Sequence, residues 1–245
     1  MGAPSYAVIP GAGSAGYTWR DVAGELGALV LPIPDEPEVQ EMARALAGVI
    51  AELPAPRVLI GASMGAMVAL EVARSVEIEA LVLASAGFGI EVSDRLIGWM
   101  ERNPPDLFRK MAKICLGDRE DPPLIDAIVA DYIAGGHAEH VRHLQALSRY
   151  APEQLREPPP TIVLWGMRDP AVPLEGHVEL ALRCRGALVP IADAAHVPFL
   201  EQPQVTLEWI RRAARLSDGP AAIDRDHLAG AVGRRVGSEE EQDSV

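Results

Sequence analysis

A serine, an aspartate and a histidine each stand just past a short apolar run: Ser63, Asp169 and His196. The run Val58-Leu59-Ile60 ends in Gly61-Ala62-Ser63-Met64-Gly65, and a small-residue helical pattern follows directly. G-x-S-x-G between a strand and a helix is the pattern of a nucleophile elbow. The chain must reverse in very little space, so the serine takes a strained conformation and small neighbours let strand and helix approach. An ordinary Gly/Ser turn opening a strand–helix unit carries the same five residues, so the weight falls on what accompanies them.

A serine hydroxyl is a poor nucleophile at neutral pH. His196 would accept its proton, and Asp169 would fix the imidazole tautomer and stabilise the imidazolium. The tetrahedral oxyanion needs backbone donors. The N–H of Met64 follows the serine; Ala12, in the loop after the first strand, is the other candidate.

Three strand ends must bring these residues together. Apolar runs at residues 5–9, 28–33, 57–61, 79–86, 161–165 and 187–191 read as strands. Helical periodicity fills residues 17–27, 38–53, 64–75, 174–184 and 203–216 between and after them. Alternating strands and helices imply an α/β fold with a mostly parallel, doubly wound sheet. Ligands bind at the carboxyl edge of such a sheet, and Ser63, Asp169 and His196 would all lie there.

The alternation breaks after the fourth strand. Four helical stretches run in series, at 93–103, 106–116, 122–134 and 137–150, with Ser93 and Asp106 as expected N-caps. The expected division is therefore a core at 1–89 and 158–216, an all-helical lid at 90–157 and a polar, weakly ordered tail at 217–245. Large apolar residues of the lid, Trp99, Phe108, Met111 and Tyr132, are candidates to line a substrate pocket.

Bulk composition narrows the partners. The chain has 245 residues, 49% hydrophobic but only 4% aromatic, and a formal net charge of −13. That charge argues against nucleic acid, whose phosphates need Lys and Arg, and disfavours anionic membranes. No apolar run approaches the roughly 20 residues needed to span a bilayer, and no signal segment is recognised at the start. Cys115 and Cys184 have no Cys or His at ligand spacing, so neither a disulfide framework nor a metal site is expected. A cytoplasmic protein, monomeric or homodimeric, acting on a small molecule is the expectation.

Other residues compete for roles. Gly11, Gly13 and Gly16 spell G-x-G-x-x-G after the first strand, with Asp35 and Glu36 at the end of the second. That is the outline of a dinucleotide site, although such a site has no use for the elbow. Asp193 lies three residues before His196 and reads as a turn residue. His137, His140 and His143 are spaced by three, so successive rings drift by about 60° around the helix. They read as a solvated face rather than a metal site, and His177 as part of a surface helix.

The order Ser63, Asp169, His196 is similar to that of the α/β-hydrolase superfamily, and the resemblance extends over residues 4–216. The loop at 10–19 resembles the family's oxyanion loop, and His196-Val197-Pro198-Phe199-Leu200-Glu201-Gln202-Pro203 its catalytic-histidine segment. The early start and the loop from Gly11 to Trp19 look like the compact methylesterase and hydroxynitrile-lyase group. Pro10 replaces the usual His before the oxyanion Gly, Ala62 a common elbow His, and Ala66 a common Gly. Lyases of that group carry a Thr and a Lys where this chain has Gly11 and Val197. The resemblance thus implies a serine hydrolase that needs no cofactor and cleaves a small-to-medium, mainly apolar carboxylic ester. Thioesters, lactones, and lyase or cyclase chemistry on the same fold stand as alternatives.

Overall fold

The structure, a computed structural model, describes residues 2–104, 106–117 and 119–216. The expected weakly ordered tail lies outside the described residues.

Six strands form one sheet: β1 (Ser5–Ile9), β2 (Leu29–Val30), β3 (Arg57–Ala62), β4 (Ala80–Ala84), β5 (Thr161–Gly166) and β6 (Ala187–Ile191). Their order is β2-β1-β3-β4-β5-β6, and every neighbouring pair is parallel. The chain winds one way from β1 to β2 and the other way from β3 onward. The carboxyl ends of β1 and β3 therefore flank a switch point, where open parallel sheets leave a crevice.

Both faces of the sheet are buried. Leu59, Leu81, Leu83 and Val163 point into one apolar cluster. Their alternating neighbours Val58, Ile60, Val82 and Ile162 point into another. This explains why the strands read as continuous apolar runs rather than as half-polar ones. Leu59, Leu81 and Leu83 are wholly inaccessible, each worth about 1.5–3 kcal/mol relative to exposure.

Helices α2 (Val39–Ala51), α3 (Met64–Val72) and α8 (Leu174–Arg183) cover the first face, and α1 (Arg20–Leu26) and α10 (Pro203–Leu216) the second. In α3 every residue but Glu71 is buried, as its apolar sequence requires. Between β4 and β5 lie α4 (Asp94–Glu101), α5 (Leu107–Cys115), α6 (Pro122–Gly135) and α7 (His137–Ser148). They hold a small cluster of their own, including Met100, Leu107, Met111, Val141 and Leu144.

Local chemistry accounts for the departures from expectation. β2 keeps only two residues of an expected six. Pro32 and Pro34 cannot donate to a ladder, which confines the pairing. The helix expected from residue 17 opens as a 3-10 turn, Tyr17–Trp19, before α1. Ser93 caps α4 by accepting from Leu96 N, but Asp106 caps nothing. Its φ of 61° denies it the extended backbone a side-chain cap needs. A short helix, α9 (Pro198–Glu201), was not expected; Pro198 stands in its first turn, where a missing N–H costs no bond.

Candidate active site

Ser63 alone separates β3 from α3, at φ 52° and ψ −122°. A non-glycine residue held there stores about 1–3 kcal/mol of strain. The surrounding packing imposes it. A Cβ on Gly61 would strike the backbone of Gly65 and Ala66, and one on Gly65 the carbonyls of Ile9 and Pro10. Both glycines of the pentapeptide are thus demanded by the approach of β3, α3 and β1. Ser63 N–H donates to the Ala84 carbonyl at 2.9 Å, tying the turn to the neighbouring strand end.

Asp169 and His196 leave β5 and β6. Met167 N–H donates to the Ile191 carbonyl and Arg168 N–H to that of Ala194, so the two loops are laced together. Gly166 allows this, since a Cβ there would meet the carbonyls of Ala194 and Ala195. His196 Nδ1 lies 2.9 Å from Asp169 Oδ2 and 3.0 Å from Oδ1. Asp169 Oδ1 also accepts from the N–H groups of Ala171 (2.8 Å) and Val172 (3.1 Å). Burial alone would raise the Asp169 carboxyl; the charge and hydrogen bond of His196 and the two N–H groups outweigh it and hold the group below its ordinary value. The carboxylate is therefore ionised at neutral pH, and Nδ1 carries the proton toward it. That leaves Nε2 as the nitrogen that can act as a base.

The segment after His196 is built to hold it. Glu201 Oε1 accepts from Ala195 N–H at 2.7 Å, and His196 N–H donates to the Cys115 carbonyl at 2.9 Å. Phe199 stacks on Trp19 with ring centres 4.0 Å apart, joining this segment to the loop after β1. Asp193 faces away: its side chain is exposed, 3.5 Å from Arg168, in a turn at φ 58°.

The loop after β1 passes close to the elbow, a Cβ on Gly11 falling 3.4 Å from Ser63 Cβ. Met64 is the first residue of α3, so its N–H has no acceptor within the helix. Ala12 and Ser63 line one cavity with His196.

Residues from the inserted helices hold that loop. Asp131, on α6 and only 1% exposed, accepts from Ser14 Oγ (2.6 Å), Tyr17 N–H (2.8 Å) and Thr18 Oγ1 (2.9 Å). His143 Nδ1, on α7, accepts from Gly13 N–H at 3.1 Å. Sequence reading missed both. A buried carboxylate amid the loop's donors also argues against the dinucleotide alternative. Asp131 already occupies donors that a pyrophosphate would need, and its charge would repel one.

The cavity has a volume of about 260 Å³. Met111 and Tyr132 line it; Trp99 and Phe108 do not. Trp99 packs into the small cluster of the inserted helices, and Phe108 borders a separate surface hollow near Asn103 and Val129. Both serve the packing of helix on helix. Cys115 lines the cavity too, its Sγ 3.4 Å from Tyr132 Oη. Burial pushes its thiol up to about 11, so it stays protonated and does not rival Ser63.

The histidines correct the sequence reading. His140 and His143 are 2% and 4% exposed and His177 wholly buried, its Nε2 4.0 Å from Asp169 Oδ2. Burial, then the charges of His143 and His137, lowers His140 to about 3. Burial likewise lowers His143 and His177. Unfolded rings take up protons from about pH 6.5 downward, whereas these folded rings resist. Their contribution to stability is complete above that pH and lost as pH falls through the lowered values. Each ring is expected to cost about 1.4 kcal/mol per pH unit within its own window. Urea unfolding at pH 7.5 and 5.5 checks this; a stability that does not fall contradicts neutral burial.

Among the described residues, no group of three or more His, Cys, Asp or Glu is placed to hold a metal ion. Nor is any described helix long and apolar enough to cross a membrane.

A parallel sheet in this order, with a strained serine elbow and an Asp–His pair at its carboxyl edge, defines an α/β-hydrolase fold. The model of the alpha/beta hydrolase family matches residues 7–209, and the chain belongs to that family. No curated protein matches it. Solved structures do. A thermophilic esterase from Thermogutta terrifontis has 22% identity and a TM-score of 0.74, over 89% of this chain and 91% of that one. An esterase from Exiguobacterium antarcticum has 17% identity and a TM-score of 0.74, over 88% and 93%. RedJ, a thioesterase of the prodiginine biosynthetic pathway in Streptomyces coelicolor, has 19% identity and a TM-score of 0.61, over 88% and 86%.

Proposed function

We propose that this protein is a serine hydrolase that cleaves a small-to-medium, mainly apolar carboxylic ester through an acyl-enzyme on Ser63. One observation carries the reading: Ser63, strained into its elbow, and the Asp169-held His196 open onto the same cavity.

The steps follow from the geometry. Ser63 Oγ attacks the ester carbonyl carbon while His196 Nε2 takes its proton. The carbonyl oxygen becomes an oxyanion, received by the N–H groups of Ala12 and Met64. Collapse breaks the bond to the alcohol oxygen, which leaves with the proton from His196. Water then gives a proton to His196 and attacks the acyl carbon. The acid departs and Ser63 regains its hydrogen.

The α4–α7 block acts as a lid, closing over the carboxyl edge with Met111, Ile128, Tyr132 and Leu144 on the cavity wall. These apolar walls favour an apolar acyl group. A volume near 260 Å³ lies just under the roughly 300–1,000 Å³ of drug-sized sites, which favours a small or medium substrate. Thioester cleavage is the second reading, favoured by the likeness to a thioesterase. Two buried, unpaired cysteines suit a reducing cytoplasm.

A fluorophosphonate probe with p-nitrophenyl and thioester substrates of graded chain length tests the reading. The wild type is expected to label at Ser63 and to hydrolyse short and medium acyl chains. A protein that neither labels nor hydrolyses any of them refutes it.

A further inference from the structure

The mechanism leaves a buried imidazole in the cavity unused. His140 lines the cavity that holds Ser63 and His196. Its ring is almost wholly buried, and Nδ1 has no hydrogen-bond partner among the described residues. Nor does any described group bond Nε2. Buried polar atoms are nearly always paired. A buried imidazole whose Nδ1 is shut against the loop, and whose Nε2 has no partner among the described residues, is therefore an unusual wall for an apolar pocket.

The ring cannot turn away to find a partner. It stacks on Phe108, with centres 6.2 Å apart and planes 15° apart, and packs against Tyr132 at 4.8 Å. On its Nδ1 side it rests on Gly13, whose missing side chain leaves the room; a Cβ there would overlap the imidazole. The same loop supplies the Ala12 N–H one residue earlier. His140 is thus fixed to the loop that faces the reacting carbonyl, by a contact only glycine permits.

The surroundings also set the ring's charge. Burial comes first, and the neighbouring His143 and His137 add to it, so the imidazole stays neutral at physiological pH. A neutral ring matches a neutral partner: a hydroxyl can both donate and accept, and a ketone can accept. A substrate carboxylate fits badly, because Glu91 and Asp131 line the same cavity. Position assigns this partner to the acyl group. His196 must reach the leaving oxygen, so the alcohol portion lies along His196. The acyl portion takes the remaining cavity, where His140 stands.

We propose that His140 is a specificity-determining residue, and that the cavity prefers an ester whose acyl chain carries a neutral oxygen, a hydroxyl or ketone, over the plain alkyl chain of equal length. This rests on the hydrolase reading of the same site. A pocket that hydrogen-bonds a substrate group discriminates against the analogue lacking it, because its own polar atoms are then left unpaired.

The test compares p-nitrophenyl hexanoate with its 2-hydroxy, 3-hydroxy and 5-oxo derivatives. At least one oxygenated ester is expected to show a kcat/KM about 10- to 100-fold above hexanoate, the range of one buried hydrogen bond. His140→Phe is expected to bring that ratio toward one, and His140→Gln to restore part of it. Calorimetry of Ser63→Ala with the corresponding methyl esters gives a readout that needs neither turnover nor a folded His140 variant. There the oxygenated ester is expected to bind at least tenfold more tightly. Equal affinity for all esters in Ser63→Ala, or a preference that survives in His140→Phe, overturns the proposal. Discrimination in binding without hydrolysis by the wild type upholds His140 and refutes the hydrolase reading alone.

Discussion

Ser63→Ala is expected to lower kcat for ester hydrolysis by about 10⁶-fold with little change in KM, the scale seen when the nucleophile of a Ser-His-Asp unit is removed. The attacking oxygen disappears, whereas the cavity wall stays. Stability should change little, because the alanine keeps the Cβ at the elbow and removes one hydroxyl from the cavity wall. Asp169→Asn is the informative companion. Its amide keeps the shape but can present an N–H to His196 Nδ1, which favours the tautomer with the proton on Nε2, the wrong nitrogen for a base. A loss of about 10⁴-fold follows. The double variant decides whether the residues work as one unit. It should be no slower than Ser63→Ala alone, because an oriented base has nothing to activate once the serine is gone. Initial rates on a p-nitrophenyl ester of the three variants are the measurement. Independent, multiplying losses would sink the shared mechanism.

What could be read from the sequence was what close backbone approach writes into it. Gly61 and Gly65 carry no side chain because β1, β3 and α3 leave no room, and glycine at fixed spacing records that. Asp169 and His196 were legible because each follows an apolar run ending at the same sheet edge. The pairing of the Asp131 carboxylate with residues 14, 17 and 18 was not, since its donors lie over 110 positions away. Nothing local distinguishes a buried aspartate in a helix from the exposed Asp126, which pairs with Arg109 at the surface.

His177 is a different case, because its burial was written locally. His177, Leu180, Ala181 and Cys184 follow i, i+3, i+4, i+7 and are all buried, while Val178 and Leu182 are exposed. The helical stripe, weighed over residue type, would have placed the histidine inside. The same holds for His140, Leu144 and Leu147 on α7, three buried residues at i, i+4 and i+7. Composition misled where periodicity was right. Pro173 and Glu175 beside His177 suggest a surface helix, yet burial keeps its ring neutral and the Pro173 carbonyl lies 3.0 Å from its Nδ1.

Asp131→Ala is expected to damage both fold and rate. It strands Ser14 Oγ, Tyr17 N–H and Thr18 Oγ1, three donors that converge on one buried carboxylate. Unmade buried hydrogen bonds cost about 1–3 kcal/mol each, so a loss of roughly 3 kcal/mol or more in unfolding free energy is expected. The rate effect has a separate origin. Asp131 ties α6 to the loop that carries Ala12, and a transition-state donor matters only where the oxyanion forms. Loosening that loop should lower kcat by about 10²-fold, the cost of a weakened oxyanion donor. KM should move little, because ground-state contacts come mainly from the apolar walls. Asp131→Asn keeps one acceptor oxygen and should lie between wild type and alanine on both scales. Urea unfolding and steady-state kinetics on the same preparations separate the two effects. A destabilised Asp131→Ala that keeps its kcat below its unfolding midpoint would make Asp131 a structural strut and free Ala12 from dependence on it. A fall in kcat that tracks the loss of loop contacts ties the inserted helices to the chemistry at Ser63.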